Sequence, residues 1–140
     1  MAELDYALLC DYARAEGGVA HVIAAGIDTI QRSEVPSVAN PGLLARTIFD
    51  DDETGETHQV EVQLRDQEGE QIAQVNLTVV PRRIEGLPEG WPTGALLAMN
   101  FGVPPPSFGP YTLTILLNDT PKKTLNLRVV PPEVTSGPAG

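Results

Sequence analysis

The feature that most constrains this chain is strict alternation of apolar and polar residues in two pairs of segments, each pair joined by a polar turn. In His58–Arg65, Val60, Val62 and Leu64 fall on one face while Gln59, Glu61, Gln63 and Arg65 fall on the other. In Gln71–Val79, Ala73, Val75, Leu77 and Val79 oppose Gln74, Asn76 and Thr78, and Asp66-Gln67-Glu68-Gly69-Glu70 supplies the turn between the two segments. The second pair sets Tyr111, Leu113, Ile115 and Leu117 against Thr112 and Thr114. After Asn118-Asp119-Thr120-Pro121, it sets Leu125, Leu127 and Val129 against Asn126 and Arg128. A period of two sends successive side chains to opposite faces of a strand, so these segments predict two antiparallel hairpins with one face dry and one wet.

Four weaker segments extend the pattern. Leu4–Tyr12 places Leu4, Tyr6, Leu8, Cys10 and Tyr12 opposite Asp5 and Asp11. Val19–Ile30 is apolar on both faces, which predicts a central strand or a bulge near Gly26. Leu43–Phe49 and Ala95–Phe101 complete the set. No window keeps a helical period over three turns, and Ala7–Ala15 is the nearest helical rival. Thirteen glycines and thirteen prolines speak against a helix bundle, whose interior tolerates neither. The expected fold is all-β: a two-sheet antiparallel sandwich of about eight strands, immunoglobulin-like, with a jelly roll as the alternative. The chain reads as one domain over residues 1–130 followed by a disordered tail, 131–140. Ser33–Gly42 is a Pro-punctuated crossing. The 14-residue stretch Pro81–Gly94 is long for a connection, hence functional or a crossover between sheets.

Charge narrows the function. Nineteen acids against nine bases leave −10, which repels phosphate backbones and anionic bilayers alike, so neither nucleic acid nor membrane is an expected partner. No apolar run approaches the roughly 20 residues of a membrane span. Glu3 and Asp5 stand where a signal peptide carries positive charge, and the expected location is cytoplasmic. Cys10 is alone, which leaves no intramolecular disulfide and no cysteine cluster for zinc; it reads as a small core residue. Nine acids crowd residues 50–70 against Arg65 alone, in two turns at opposite ends of His58–Arg65. At ~3.4 Å per residue these poles lie ~25 Å apart, beyond a Debye length of ~8 Å. They act separately, serving solubility and edge protection first and docking to a basic partner second.

Leu9-Cys10-Asp11-Tyr12-Ala13, the Gly17-Gly18 turn and Val22-Ile23-Ala24-Ala25-Gly26-Ile27-Asp28-Thr29-Ile30 are followed in order by Pro36, a polar stretch up to His58, Arg65-Asp66 with Gly69, and Gly109-Pro110-Tyr111. Together, over residues 3–130, this resembles an uncharacterised family of short bacterial proteins, mostly actinobacterial and proteobacterial. That family has no assigned activity, so the resemblance implies no site residue. The closing hairpin is similar to the last two strands of bacterial immunoglobulin-like modules, which implies fold alone.

Candidate sites are few. Asp50–Glu61 puts Asp50, Asp52 and Thr54 at the first, third and fifth positions of a calcium loop, with Gly55 at the sixth and Glu61 at the twelfth. Its flanks read as strands, and Glu61 belongs to an alternating strand. The bland reading, a solvated acidic turn, is therefore favoured over weak calcium coordination by Asp50, Asp52 and Glu56. His21 and His58 are neither paired nor at ligand spacing. No phosphate loop, nucleophile elbow or metal motif is present, so neither catalysis nor a cofactor is expected. Trp91 stands between Pro88, Gly90 and Pro92 in the long loop that also carries Arg82 and Arg83. It reads either as a plug for one end of the core, the favoured reading given seven aromatics in the chain, or as a presented anchor. Pro104-Pro105-Pro106 before Phe108 favours a stiff connection over a docking polyproline segment. The expectation is a non-catalytic binding or adaptor module that contacts a protein partner through Trp91, with Arg82 and Arg83 as orienting charges. The alternative is a self-assembling subunit, a homo-oligomer joined through Ala20, Val22, Ala24 and Leu96.

Overall fold

The computed structural model describes residues 2–35, 40–102 and 105–132. Its strands are β1 (Glu3–Cys10), β2 (Tyr12–Glu16), β3 (Val19–Ile23), β4 (Thr29–Gln31), β5 (Gly42–Phe49), β6 (His58–Arg65), β7 (Gln71–Val79), β8 (Thr93–Asn100), β9 (Gly109–Leu117) and β10 (Thr120–Val130), with a 3₁₀ turn at Asp51–Glu53. They form a three-stranded sheet, β1-β5-β8, a five-stranded sheet, β4-β10-β9-β6-β7, and a separate hairpin, β2-β3. The two larger sheets make an all-β sandwich. No helix among the described residues is long and apolar enough to cross a membrane.

The strand order decides between the two expected topologies. In immunoglobulin lettering β1-β5-β8 take the places A-B-E and β10-β9-β6-β7 take G-F-C-C′. Tyr111, near the start of β9, adds the corner typical of strand F. Its hydroxyl donates to the Ser107 carbonyl at 2.5 Å and accepts from the Ser107 amide at 3.2 Å. Pairing is antiparallel except for Thr29–Gln31, which runs parallel to Arg128–Val130.

Both well-patterned hairpins form with the expected faces, and in their registers Val62 faces Val75 and Leu113 faces Leu125. Their apolar faces meet Leu9, Leu43, Ala45 and Phe49 of the smaller sheet in one core. Fully burying a Leu or Ile side chain contributes ~1.5–3 kcal/mol, so Leu43, Leu113 and Ile115, each 1% exposed, are principal anchors.

Two expected strands are broken, which raises the count from eight to ten. Leu4–Tyr12 bends at Asp11, whose amide donates to the Ile23 carbonyl at 2.8 Å. Val19–Ile30 is not a central strand. It stops after Ile23, where Ala24 (φ 55°) and Gly26 (φ 86°) take the left-handed conformation and the Gly26 amide reaches the Leu9 carbonyl at 2.7 Å. Its apolar residues on both faces reflect a hairpin arm, with Val19 56% and Ile23 59% exposed. Pro36, Ser37, Pro104 and the tail beyond residue 132 lie outside the described residues.

The β2-β3 hairpin folds back over the outer face of β1-β5-β8. There Cys10, Ala13 and Leu44 make a second buried cluster with Leu8, Ala20, Leu96 and Ala98. Asn100 ties it down: its Oδ1 accepts from the Ala13 amide at 3.2 Å and its Nδ2 donates to the Ala13 carbonyl at 3.0 Å. One side-chain amide thus replaces the backbone neighbour that β2 lacks on that side. Gly42 lies beneath this bridge, where a Cβ would come within 2.9 Å of both the Ala13 nitrogen and the Asn100 Oδ1.

Candidate functional site

Folding the hairpin onto the sheet leaves a trough beyond its tip. The register places Tyr6, Arg46 and Leu96 side by side across β1, β5 and β8, and these form the floor. The hairpin tip (Glu16 to Ala20) makes one wall; Ile84, Leu87, Trp91 and Pro92 of the long loop make the other, around a volume of about 830 Å³. Arg46 lies flat along the floor, donating to Asp5 Oδ2 at 2.6 Å, and it occupies the space a side chain at Gly94 would need. The floor thus sets a paired guanidinium between the side chains of Tyr6 and Leu96.

The long loop is built around Arg83. Its guanidinium pairs with Asp51 and donates to the carbonyls of Leu87 (3.2 Å), Pro88 (3.0 Å) and Trp91 (3.2 Å). Arg83 is therefore the loop's internal brace, its donors directed to the chain itself. Arg82 is exposed and does not line the trough. The favoured reading of Trp91 as a core plug is overturned: the braced loop holds it 60% exposed, beside Ile84 at 64% and across from Val19 at 56%. A core with Phe49, Phe101 and Tyr111 buried has the bulk it needs without Trp91.

The other candidates fall elsewhere. Asp50 and Asp52 converge with Glu53, not Glu56, their carboxylate oxygens within 4.8 Å of one another in an exposed cluster. Burial raises the Glu53 carboxyl, but the interactions that favour its charged form, the Asp50 amide first among them, hold the group below its ordinary value. Glu61 stays in β6, accepting from Gln63 at 2.9 Å and from Gln74, so Asp50–Glu61 does not wrap as a calcium loop. Cys10 is fully buried, and burial followed by the Asp11 charge pushes its thiol up.

His58, 4% exposed, has a structural role that its sequence position did not reveal. Asn118 Oδ1 accepts from the Gln59 amide at 2.9 Å, which turns its Nδ2 toward His58 Nδ1, also at 2.9 Å. Facing that amide, Nδ1 is placed to accept, and Nε2 is directed to the Glu53 carbonyl at 2.9 Å. The ring also packs on Phe49, centroids 4.5 Å apart. His21 lies exposed on β3. Of the residues expected to mediate self-assembly, Ala20 and Leu96 join the cluster under the hairpin, while Ala24 sits at a left-handed turn; with Val22 they do not make one free face.

Comparison with known proteins bears on fold and family. The model of a family of unknown function, DUF6941, matches residues 5–130. The chain belongs to this family. Nine chains of solved structures match as well. One is a crystal structure of the C-terminal domain of wzt, which is 11% identical with a TM-score of 0.55, covering 97% of this chain and 77% of that one. At that identity the likeness is one of fold. No curated protein matches the chain in sequence.

Proposed function

We propose that this DUF6941 protein is a non-catalytic protein-binding module whose trough receives a segment of another protein carrying apolar side chains flanked by basic residues. The carrying observation is Trp91, held 60% exposed by a loop that Arg83 braces from within and facing Val19 across a floor of Tyr6, Arg46 and Leu96. Large exposed side chains on pre-ordered supports lose little entropy on binding, the circumstance in which an aromatic becomes a hot spot. Glu85 and Glu89 in the loop and the net charge of −10 favour basic flanks and disfavour nucleic acid or an anionic membrane. A bacterial cytoplasmic setting is part of this reading, and the free, buried Cys10 suits such a reducing compartment.

The test is tagged capture at native level with the unmodified chain and with Trp91→Ala in parallel. A partner retained by the former and lost by the latter, with Kd weakened by ~2 kcal/mol and Tm unchanged, supports the reading. A partner held equally by both, or a Trp91→Ala chain whose Tm falls steeply, overturns it.

A further inference from the structure

The four sheet edges of the sandwich are unequally protected. β1 carries Glu3 and Asp5 and a register break between Leu4 and Tyr6; β4 is three residues long; β8 has the β2-β3 hairpin on its outer face, tied at Asn100, and keeps an open edge of its own. Charge, irregular register and brevity are among the usual devices against edge pairing, and they guard β1 and β4. β7 has none of these along most of its length. It spans nine residues without charge or proline, pairs with β6 alone, and leaves its outer edge unpaired among the described residues.

We propose that the β7 edge pairs antiparallel with the β7 edge of a second copy, joining two five-stranded sheets into one of ten strands about a two-fold axis at Val75. The sequence is self-complementary about that residue. Val75 meets Val75, and Ala73 meets Leu77 on the core-facing side, small against large. Gln74 meets Asn76 on the wet side, amide against amide. No like charges oppose each other within the ladder, although the chain as a whole is at −10. The same axis brings the Asp66–Glu70 turn of one copy beside the Val80–Arg83 segment of the other, twice. Arg82, exposed and without an ion pair among the described residues, then faces Glu68 and Glu70, both exposed. This charge complementarity selects a second copy as occupant over an unrelated strand. The register break at Ile72 confines the ladder's strict alternation to Ala73–Leu77. Contact of this length falls short of the ~1,600 Å² of a standard interface, so the dimer depends on protein concentration.

The proposal is independent of the trough, and its test reads self-association alone. Light scattering and sedimentation of the full chain, from micromolar to near-millimolar concentration, should show a monomer–dimer equilibrium. Arg82→Glu should weaken it about tenfold or more by setting acid against acid. Combining it with Glu68→Arg and Glu70→Arg should restore it; all three positions are exposed, and unchanged melting curves would establish that the variants fold. A chain that stays monomeric throughout overturns the proposal. So does a dimer indifferent to Arg82→Glu, or one abolished by Trp91→Ala instead.

Discussion

Asn100→Ala is the sharpest test of how the hairpin is held. Asn100 makes two hydrogen bonds to the backbone of Ala13, a residue 3% exposed, at 3.2 and 3.0 Å. A net contribution of about 1 kcal/mol for each bond gives a loss of ~2 kcal/mol if water reaches the freed groups. If the Ala13 amide and carbonyl stay dry, the penalty for two unpaired buried groups raises the loss to ~4 kcal/mol. Urea unfolding would measure the total, and hydrogen exchange would locate it. Protection at residues 12–23 should fall while that in β6 and β9 is kept, because the hairpin opens as a local unit. Asn100→Asp separates geometry from volume: its carboxylate still accepts from the Ala13 amide but has nothing to donate to the carbonyl, so it should not rescue. Since the hairpin tip is one wall of the trough, both variants should also weaken partner capture. A loss under ~0.5 kcal/mol with exchange protection unchanged would refute the reasoning, because two bonds to a buried backbone cannot be that cheap.

Thr93 is 2% exposed and its hydroxyl has no partner among the described residues, so Thr93→Val should stabilise the fold by about 1 kcal/mol in chemical denaturation; a net loss would mean the hydroxyl has a partner in solution. His58→Ala removes a ring packed on Phe49 and orphans the Glu53 carbonyl and the Asn118 amide, and should cost ~2–4 kcal/mol, whereas a cost below ~1 kcal/mol would remove His58 from the core account. Glu53 is held below its ordinary value in the fold, so its contribution is present above the unfolded carboxylate range and is lost as pH falls through the lowered folded value. Glu53→Gln should flatten the acid limb of the stability–pH curve, and an unchanged limb would contradict this.

The alternation of Val60-Val62-Leu64 and Leu113-Ile115-Leu117 was sufficient to place both hairpins and the faces they bury, since a slip of one residue would turn every apolar side chain into water. The same logic failed for Val19–Ile30. An apolar arm that leans on the outside of a sheet and a strand buried in its middle share one pattern; the left-handed Ala24 and Gly26, which end the strand, follow from contacts with Leu9 far back in the chain. The long loop and its Trp91, Arg82 and Arg83 could be singled out from the sequence, but their division of labour could not. Which arginine braces the loop depends on where Asp51 and three carbonyls fall in space. His58 and Asn118 carried no legible signal, being sixty residues apart and meaningful only when β6 and β9 lie side by side.

By itself, then, the sequence determined the all-β class, the paired strands and their buried faces, and a charge that repels polyanions, because these depend on neighbours two residues apart and on sums over the chain. Tertiary structure alone decided the immunoglobulin-like strand order, the hairpin folded over Cys10 and Leu44, the exposure of Trp91 and the bare edge of β7. Each of these rests on pairings between distant segments, whose closure cost and fit no local pattern records.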